Sequence, residues 1–307
     1  MVQETRLAEA GIENPFFSII IPTWNNLAYL RKCIHSIRKH SRHHHEIIVH
    51  VNQGQDGTLE WLRTQKDISY NFSVNNIGIC YALNLARELV RSDYLVYMND
   101  DMYVAPDWDV PLWNEISIRD GDPMFFYSAT QMQPGSFWDD SILDESNYGT
   151  NVTSFREDAF VNECHEQDMA DWNGATWPPN IVHKSIWDAV GGYSTEFSPG
   201  LYSDPDFSMK LWKFGVRDFR GIGKSRVYHF ESKSTRRNTM NKGSIQFLMK
   251  WGLTAGTFSK YYLRRGQPYH GPLSAPKNTW ELRIKKILCK LKRSYYALTS
   301  APKTKSS

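Results

Sequence analysis

The sequence predicts an α/β protein built on a doubly wound, mostly parallel, Rossmann-like sheet. Three observations predict it. Short apolar runs rich in β-branched residues alternate with helical patterns from residue 16 to residue 98. The runs are nearly continuous in hydrophobicity, as strands buried on both faces require. Each run ends in a polar segment, as expected where a strand reaches the edge of a sheet and a helix begins.

Residues 16–21 read as the first strand, closed by Pro22. A helical pattern follows through Leu27, Leu30, Ile34 and Ile37. Residues 46–51 read as the second strand, followed by a turn between Gly54 and Gly57 and a helix through Leu59 and Leu62. Residues 68–74 read as the third strand, 77–89 as an amphipathic helix and 94–98 as the fourth strand. Strands joined through helices imply right-handed βαβ units. Residues 120–180 are rich in aromatics, Gly, Asn and acids, with weak periodicity. They are too long for a plain connection and read as an excursion that helps to form a binding site. A helix over 184–190, a Gly-rich loop, a helix over 206–214 and a strand over 224–230 follow. Residues 232–276 read as partly helical.

Composition narrows the function classes. The 307 residues are 41% hydrophobic and 14% aromatic, which excludes a disordered chain and a minimal disulfide scaffold. The net charge of +3 hides a split. From residue 277 onward nine basic residues face one acid, Glu281, so the tail carries +8 and the rest −5. Such asymmetry suggests contact with a polyanionic surface. The four cysteines have no CxxC spacing and read as free thiols of a reducing compartment. The first residues lack the apolar core of a secretory signal, and no run is long enough for a membrane span. The sequons at Asn71 and Asn151 therefore read as chance matches. A cytoplasmic protein is expected, peripheral on the cytoplasmic face of the inner membrane.

In open parallel sheets, ligands bind beyond the carboxyl ends of the strands. Those ends carry Pro22-Thr23-Trp24-Asn25-Asn26, Asn52 to Thr58, Asn75-Asn76-Ile77-Gly78 and Asn99-Asp100-Asp101. Capping and turn formation account for Thr23 or Asp56 singly. Adjacent carboxylates straight after an apolar strand need a counter-charge, and Mg²⁺ or Mn²⁺ bridging to substrate phosphates is the usual one. Two lookalikes fail. Gly221-Ile222-Gly223-Lys224-Ser225 imitates the end of a P-loop but has Asp218 where the first glycine belongs. No Gly-x-Gly-x-x-Gly follows the first strand, which counts against a dinucleotide oxidoreductase. His40, His43, His44, His45 and His50 read as a solvated loop and not as a zinc site.

Residues 18–109 resemble family 2 glycosyltransferases of the GT-A fold. The matching segments are Ser18 to Asn26, Asp56-Gly57-Thr58, Asn75 to Gly78 with Ala82 and Asn84, and Met98 to Asp101. In the second half, Gly191-Gly192-Tyr193 with Phe197, Tyr202 to Phe207 and Val227-Tyr228-His229 match in order. The resemblance implies residues 16–119 as the nucleotide-sugar half, 120–234 as the acceptor and catalytic half, and 235–276 as a helical extension of one domain over 1–276. It implies Asp101 as the chief metal ligand, with His229 and Asn99 beside it and Asn99 standing where the family has an aspartate. It places Pro22, Thr23, Asn25, Asn52, Asn76, Gly78, Asn99 and Asp100 near the nucleotide sugar. The family usually has an aspartate where this chain has Asn52. Asp204 is implied as the base that takes the acceptor's proton, and Asp206 as a neighbouring acid toward the acceptor. The implied reaction is metal-dependent, inverting sugar transfer, using Mn²⁺ or Mg²⁺, onto a glycan or lipid-linked glycan of polysaccharide or lipopolysaccharide type.

Asp171-Trp172-Asn173 reads either as an acceptor site, with Trp172 stacking on a sugar, or as an acidic loop with one packed Trp. The tail 277–307 contains Trp280, Ile284, Ile287, Leu288, Leu291 and Tyr295 at helical spacing, flanked by Lys285, Lys286, Lys290 and Arg293. It reads as a basic amphipathic helix for an anionic membrane, against packing on the body or on a partner subunit. No nucleic-acid partner is expected. Two other functions fit the same fold: a sugar-phosphate nucleotidyltransferase and a non-catalytic glycan- or nucleotide-binding protein. The first would want a basic Gly-rich loop where this chain has Pro-Thr-Trp-Asn-Asn. Donor hydrolysis or transfer with Mn²⁺ discriminates both from a glycosyltransferase.

Overall fold

The computed structural model describes residues 2–9, 13–134, 142–143, 148–230 and 242–299. The strands are β1 (Glu4–Arg6), β2 (Ser18–Trp24), β3 (Glu46–Asn52), β4 (Ile68–Ser73), β5 (Tyr94–Tyr97), β6 (Met102–Val104), β7 (Phe125–Met132), β8 (Ile142–Leu143), β9 (Trp172–Asn173), β10 (Asn180–His183) and β11 (Asp218–His229). They form one sheet in the order β1-β4-β3-β2-β5-β10-β7-β11-β6, with β8 on β7 and β9 on β11. The block β4-β3-β2-β5 is parallel, β10 runs antiparallel between β5 and β7, and β11 is parallel to β7.

Among the described residues, nine helices precede the C-terminal one: α1 (Leu27–His40), α2 (Thr58–Thr64), α3 (Gly78–Ala86), α4 (Asp109–Ser117), α5 (Glu157–Glu163), α6 (Lys184–Ala189), α7 (Ser203–Phe214), α8 (Gly243–Trp251) and α9 (Ala255–Phe258). A tenth, α10 (Trp280–Thr299), lies at the C-terminal end. Ile19, Ile20 and Ile21 of β2 are all buried, Ile19 and Ile21 in the core on one sheet face and Ile20 in that on the other. Each such side chain contributes about 1.5–3 kcal/mol. That two-sided burial is why the run is continuous in the sequence.

Chain order runs outward from β2 to β3 and β4, then returns to β5 on the other side of β2. The switch in strand order therefore lies between β2 and β5. Pairing of β2 with β5 stops at Ile20 opposite Tyr97, while β2 continues alongside β3 to Trp24. Pro22 sits beyond that stop, where no ladder bond to β5 is lost. The two strands part there and open a crevice.

Three expectations are corrected. Residues 120–180 are not mainly an excursion: β7 and β10 are central strands. Part of that stretch, 135–141 and 144–147, lies outside the described residues. The strand expected over 224–230 is the second half of a longer β11, and Gly221 lies within it because the Trp172 ring packs where a Cβ would be. The histidines are not a solvated loop. His45 and His50 are buried, and His43 and His45 both approach the buried Asp109, at 3.0 and 3.1 Å. Burial pushes the Asp109 carboxyl up, but the His45 bond and the Arg42 and His43 backbone N–H groups outweigh it and hold it well below the usual range. All four cysteines are free and buried.

Candidate active site

The crevice is floored by the ends of β2 and β5. Thr23 Oγ1 donates to Asp100 Oδ2 at 2.6 Å, and Asn26 Nδ2 donates to Asp100 Oδ1 at 3.0 Å. Asp100 therefore ties the two strand ends together across the switch point. Asp101 comes next, and β6 begins immediately after it. The antiparallel ladder of β6 on β11 sets Met102 opposite His229, and the Phe230 N–H donates to the Asp101 carbonyl at 3.1 Å. This register brings His229 Nε2 to 3.2 Å from Asp101 Oδ1. Gln133 Nε2 contacts His229 Nδ1 at 2.8 Å, which holds the ring with Nε2 toward Asp101.

The pair fits a divalent cation. Two donors each about 2.1 Å from one ion, at right angles, stand about 3.0 Å apart. Among the described residues, no group of three His, Cys, Asp or Glu could hold a metal. A site of one carboxylate and one imidazole, completed by substrate phosphates and water, matches how Mg²⁺ and Mn²⁺ are held at phosphate sites. Asn99 is half-buried at the end of β5.

Asp204 lies in the first turn of α7, entered through Tyr202 in the left-handed region at φ 70°. Burial pushes its carboxyl up to about 7, against the hydrogen bond from Tyr193 Oη at 3.2 Å. Tyr97 is within electrostatic reach of Asp204 and of Asp101 and Asp100. Burial pushes its phenol well up, and Asp204, Cys80, Asp101 and Asp100 push it further. Tyr29 on α1 also borders this space, its phenol raised by burial and then by Asp101. Sequence reading missed Tyr29, Tyr97 and Gln133 as neighbours of the acids. It quoted Tyr193 only as part of a glycine motif. No local signal marks any of them, because each reaches the site from a separate element.

Several expected site residues do other work. Asn52 is buried, and its Oδ1 accepts from the Ile77 N–H at 2.9 Å, which ties β3 to the turn before α3. Asn76 Oδ1 accepts from the Gly78 N–H at 2.9 Å. Gly78 has φ +78°, and a Cβ there would lie 2.7 Å from Pro199 Cα, so its role is close packing. Pro22 is buried in β2. Asn25 Oδ1 accepts from the Gln55 N–H at 2.9 Å, at the mouth of the crevice.

The residues expected toward the acceptor also make contacts within the protein, and three of them, Asp206, Trp172 and Asn173, are buried. Asp206 is fully buried, 2.9 Å from Lys250 Nζ, and accepts from Trp251 Nε1 at 2.7 Å. Trp172 is 3% exposed, packed on Gly221, with its indole N–H on Thr130 Oγ1 at 3.0 Å. It is a core residue with no face open to a sugar. Asp171 accepts from Arg220 Nε at 2.6 Å and the Gly223 N–H at 2.8 Å, and Asn173 donates to the Pro268 carbonyl at 2.9 Å. All three hold β9 near the start of β11, whereas His229 is at its end.

A crevice at the switch point of a mostly parallel α/β sheet, bordered by an acid–imidazole pair, is where such sheets bind ligands. Residues 18–158 match the model for glycosyl transferase family 2. Residues 18–158, a little under half of the chain, thus carry a family 2 glycosyltransferase domain, and the fold is the GT-A fold. An uncharacterized glycosyltransferase of Bacillus subtilis, YfnE, is 34% identical over 94 residues, covering 29% of this chain and 24% of that protein. TuaG of Bacillus subtilis, whose name assigns it to teichuronic acid biosynthesis, is 29% identical over 91 residues, 28% of this chain and 36% of TuaG. The aligned parts thus span about a quarter to a third of these relatives. S. aureus TarS 1-349 in complex with UDP-GlcNAc superposes with TM-score 0.55 at 12% identity, over 94% of this chain and 76% of that one. The mannosyltransferase PcManGT from Pyrobaculum calidifontis, with GDP-Man and Mn²⁺, gives 0.53 at 14% identity, over 99% and 80%.

Proposed function

We propose that the protein transfers a sugar, with inversion, from a nucleotide-diphosphate sugar to a hydroxyl of a glycan or lipid-linked glycan at the cytoplasmic face of a membrane. The observation that supports this reading most is the Asp101–His229 pair at the switch-point crevice, with Asp204, a carboxyl raised to about 7, within electrostatic reach of Tyr97 as Asp101 and Asp100 are. A base near the working pH combines a populated carboxylate with real proton affinity. The acceptor oxygen bonds to the sugar's anomeric carbon as the bond to the diphosphate breaks, and Asp204 takes the hydroxyl proton. Attack opposite the leaving diphosphate inverts that carbon. Asp101 and His229 would hold Mn²⁺ or Mg²⁺, which when bound neutralises charge on the departing diphosphate. Asp100, Thr23 and Asn26 keep the crevice floor in register, and Gln133 orients His229.

The nucleotide sugars and Mn²⁺ in the TarS and PcManGT structures support the donor and metal assignments. TuaG's name supports a cell-envelope glycan as acceptor class. Asp204→Asn is expected to lower transfer by about 10²–10⁴-fold while donor affinity stays unchanged. Asp101→Ala should instead weaken Mn²⁺-dependent donor binding, read by calorimetry with and without the ion. Near-normal turnover of Asp204→Asn would remove the assignment.

A further inference from the structure

Helix α10 meets the body through one side only. Leu282 and Cys289 are buried, Cys289 Sγ lies 3.8 Å from Thr257 Oγ1, and Lys286 Nζ lies 6.0 Å from the Tyr262 ring. The apolar stripe lies on the opposite side. Trp280 is 71% exposed, Ile287 56%, Leu291 62% and Leu298 79%, with Ile284 and Tyr295 between them. At about 100° per residue these six side chains fall within about one quadrant, turned away from Leu282 and Cys289. Lys285 and Lys292 border the stripe on one edge, Arg283 and Lys290 on the other. The helix carries six basic residues against Glu281 alone. The sequence left open whether the apolar side packs on the body; it does not.

We propose that α10 seats the protein on an anionic lipid bilayer, with the stripe at the headgroup–acyl boundary and the basic borders on the headgroups. No helix among the described residues is long and apolar enough to cross a membrane, so α10 lies in the interface plane. Charge decides between lipid and a second copy of the chain. Two stripes pressed together would set the basic borders of one copy against those of the other, whereas anionic headgroups complement both borders at once. This deepens the lipid-linked acceptor reading and rests on it only for what the surface carries. Docking itself needs no sugar transfer.

The test is co-sedimentation of the full chain with phosphatidylcholine vesicles, with and without phosphatidylglycerol. Binding is expected to the anionic vesicles and to weaken with salt. The Ile287→Asp/Leu291→Asp variant should lose it by more than about tenfold. The Lys285→Glu/Lys292→Glu variant should lose about fivefold or more per charge. All four side chains are exposed, and donor hydrolysis in solution should be unchanged in both variants. Three results would overturn the proposal: equal binding to neutral vesicles, binding unaffected by the stripe variant, or a lipid-free dimer that the stripe variant converts to monomer. Loss of donor hydrolysis with vesicle binding intact would count against the transfer reading and leave the docking surface standing.

Discussion

At Asp204, the base proposed above, protonation depends on a balance between one hydrogen bond and burial. Burial favours the neutral acid, and the Tyr193 hydroxyl favours the carboxylate. Only the carboxylate can accept a proton, so activity should rise with pH through a limb near 7. Tyr193→Phe removes the bond that lowers the pKa, so the limb should move to higher pH with the plateau rate retained. The pH dependence of kcat/KM checks this, and an unmoved limb would separate Tyr193 from the base. Asp204 was legible as a residue, since Tyr202 to Phe207 forms an ordered motif. Its pKa was not legible, because burial comes from segments remote in the chain.

Among elements, α7 and α8 are joined by an ion pair whose acid is buried and whose lysine is partly exposed. Asp206 on α7 has no exposed surface and is neutralised by Lys250 on α8, which also reaches Glu196 at 2.7 Å. Removing one partner leaves a buried charge without compensation. Lys250→Met should therefore cost about 1–3 kcal/mol, measured as a lower urea midpoint. A loss below about 1 kcal/mol would mean that Trp251 suffices to hold Asp206. The same scale shows why β7 escaped sequence reading. Its residues are all buried, yet Ser128, Thr130 and Gln131 interrupt the apolar run. Each finds a partner inside, such as Ser128 Oγ to the Trp177 carbonyl at 3.0 Å and Thr130 Oγ1 to the Ile222 carbonyl at 2.9 Å. Polar residues satisfied by distant carbonyls erase the periodicity that marks a strand. The strands β2, β3 and β5 each keep three consecutive apolar residues and β4 alternates apolar with polar ones, so all four were found within a few residues of their observed ends.

For the molecule as a whole, the buried histidines weaken the fold as pH falls below about 6.5. Burial pushes His50 down to about 4, against its bonds to Asn71 and Asn52. In the unfolded chain a histidine titrates near 6.5, so the unfolded state takes up the proton first as pH falls. Stability from this residue is complete above about pH 6.5 and is lost progressively down to about pH 4, by about 3 kcal/mol. His40 and His45 are also lowered by burial and act in the same direction. Urea midpoints between pH 7 and pH 4 would check this. His50→Gln should flatten the slope, and an unchanged slope would place the sensitivity elsewhere.

The sequence by itself determined the parallel half of the sheet, the polar strand ends, the adjacent acids Asp100 and Asp101, and the charge split between body and tail. These are local patterns, written in the spacing of neighbouring residues. Folding brought Asp101 to His229, buried the Asp204 carboxyl, turned Trp172 inward and left the apolar side of α10 facing outward. Each of those depends on which distant segment removes water from a side chain or supplies its partner. Desolvation and non-local pairing are properties of the folded chain, and residue spacing does not encode them.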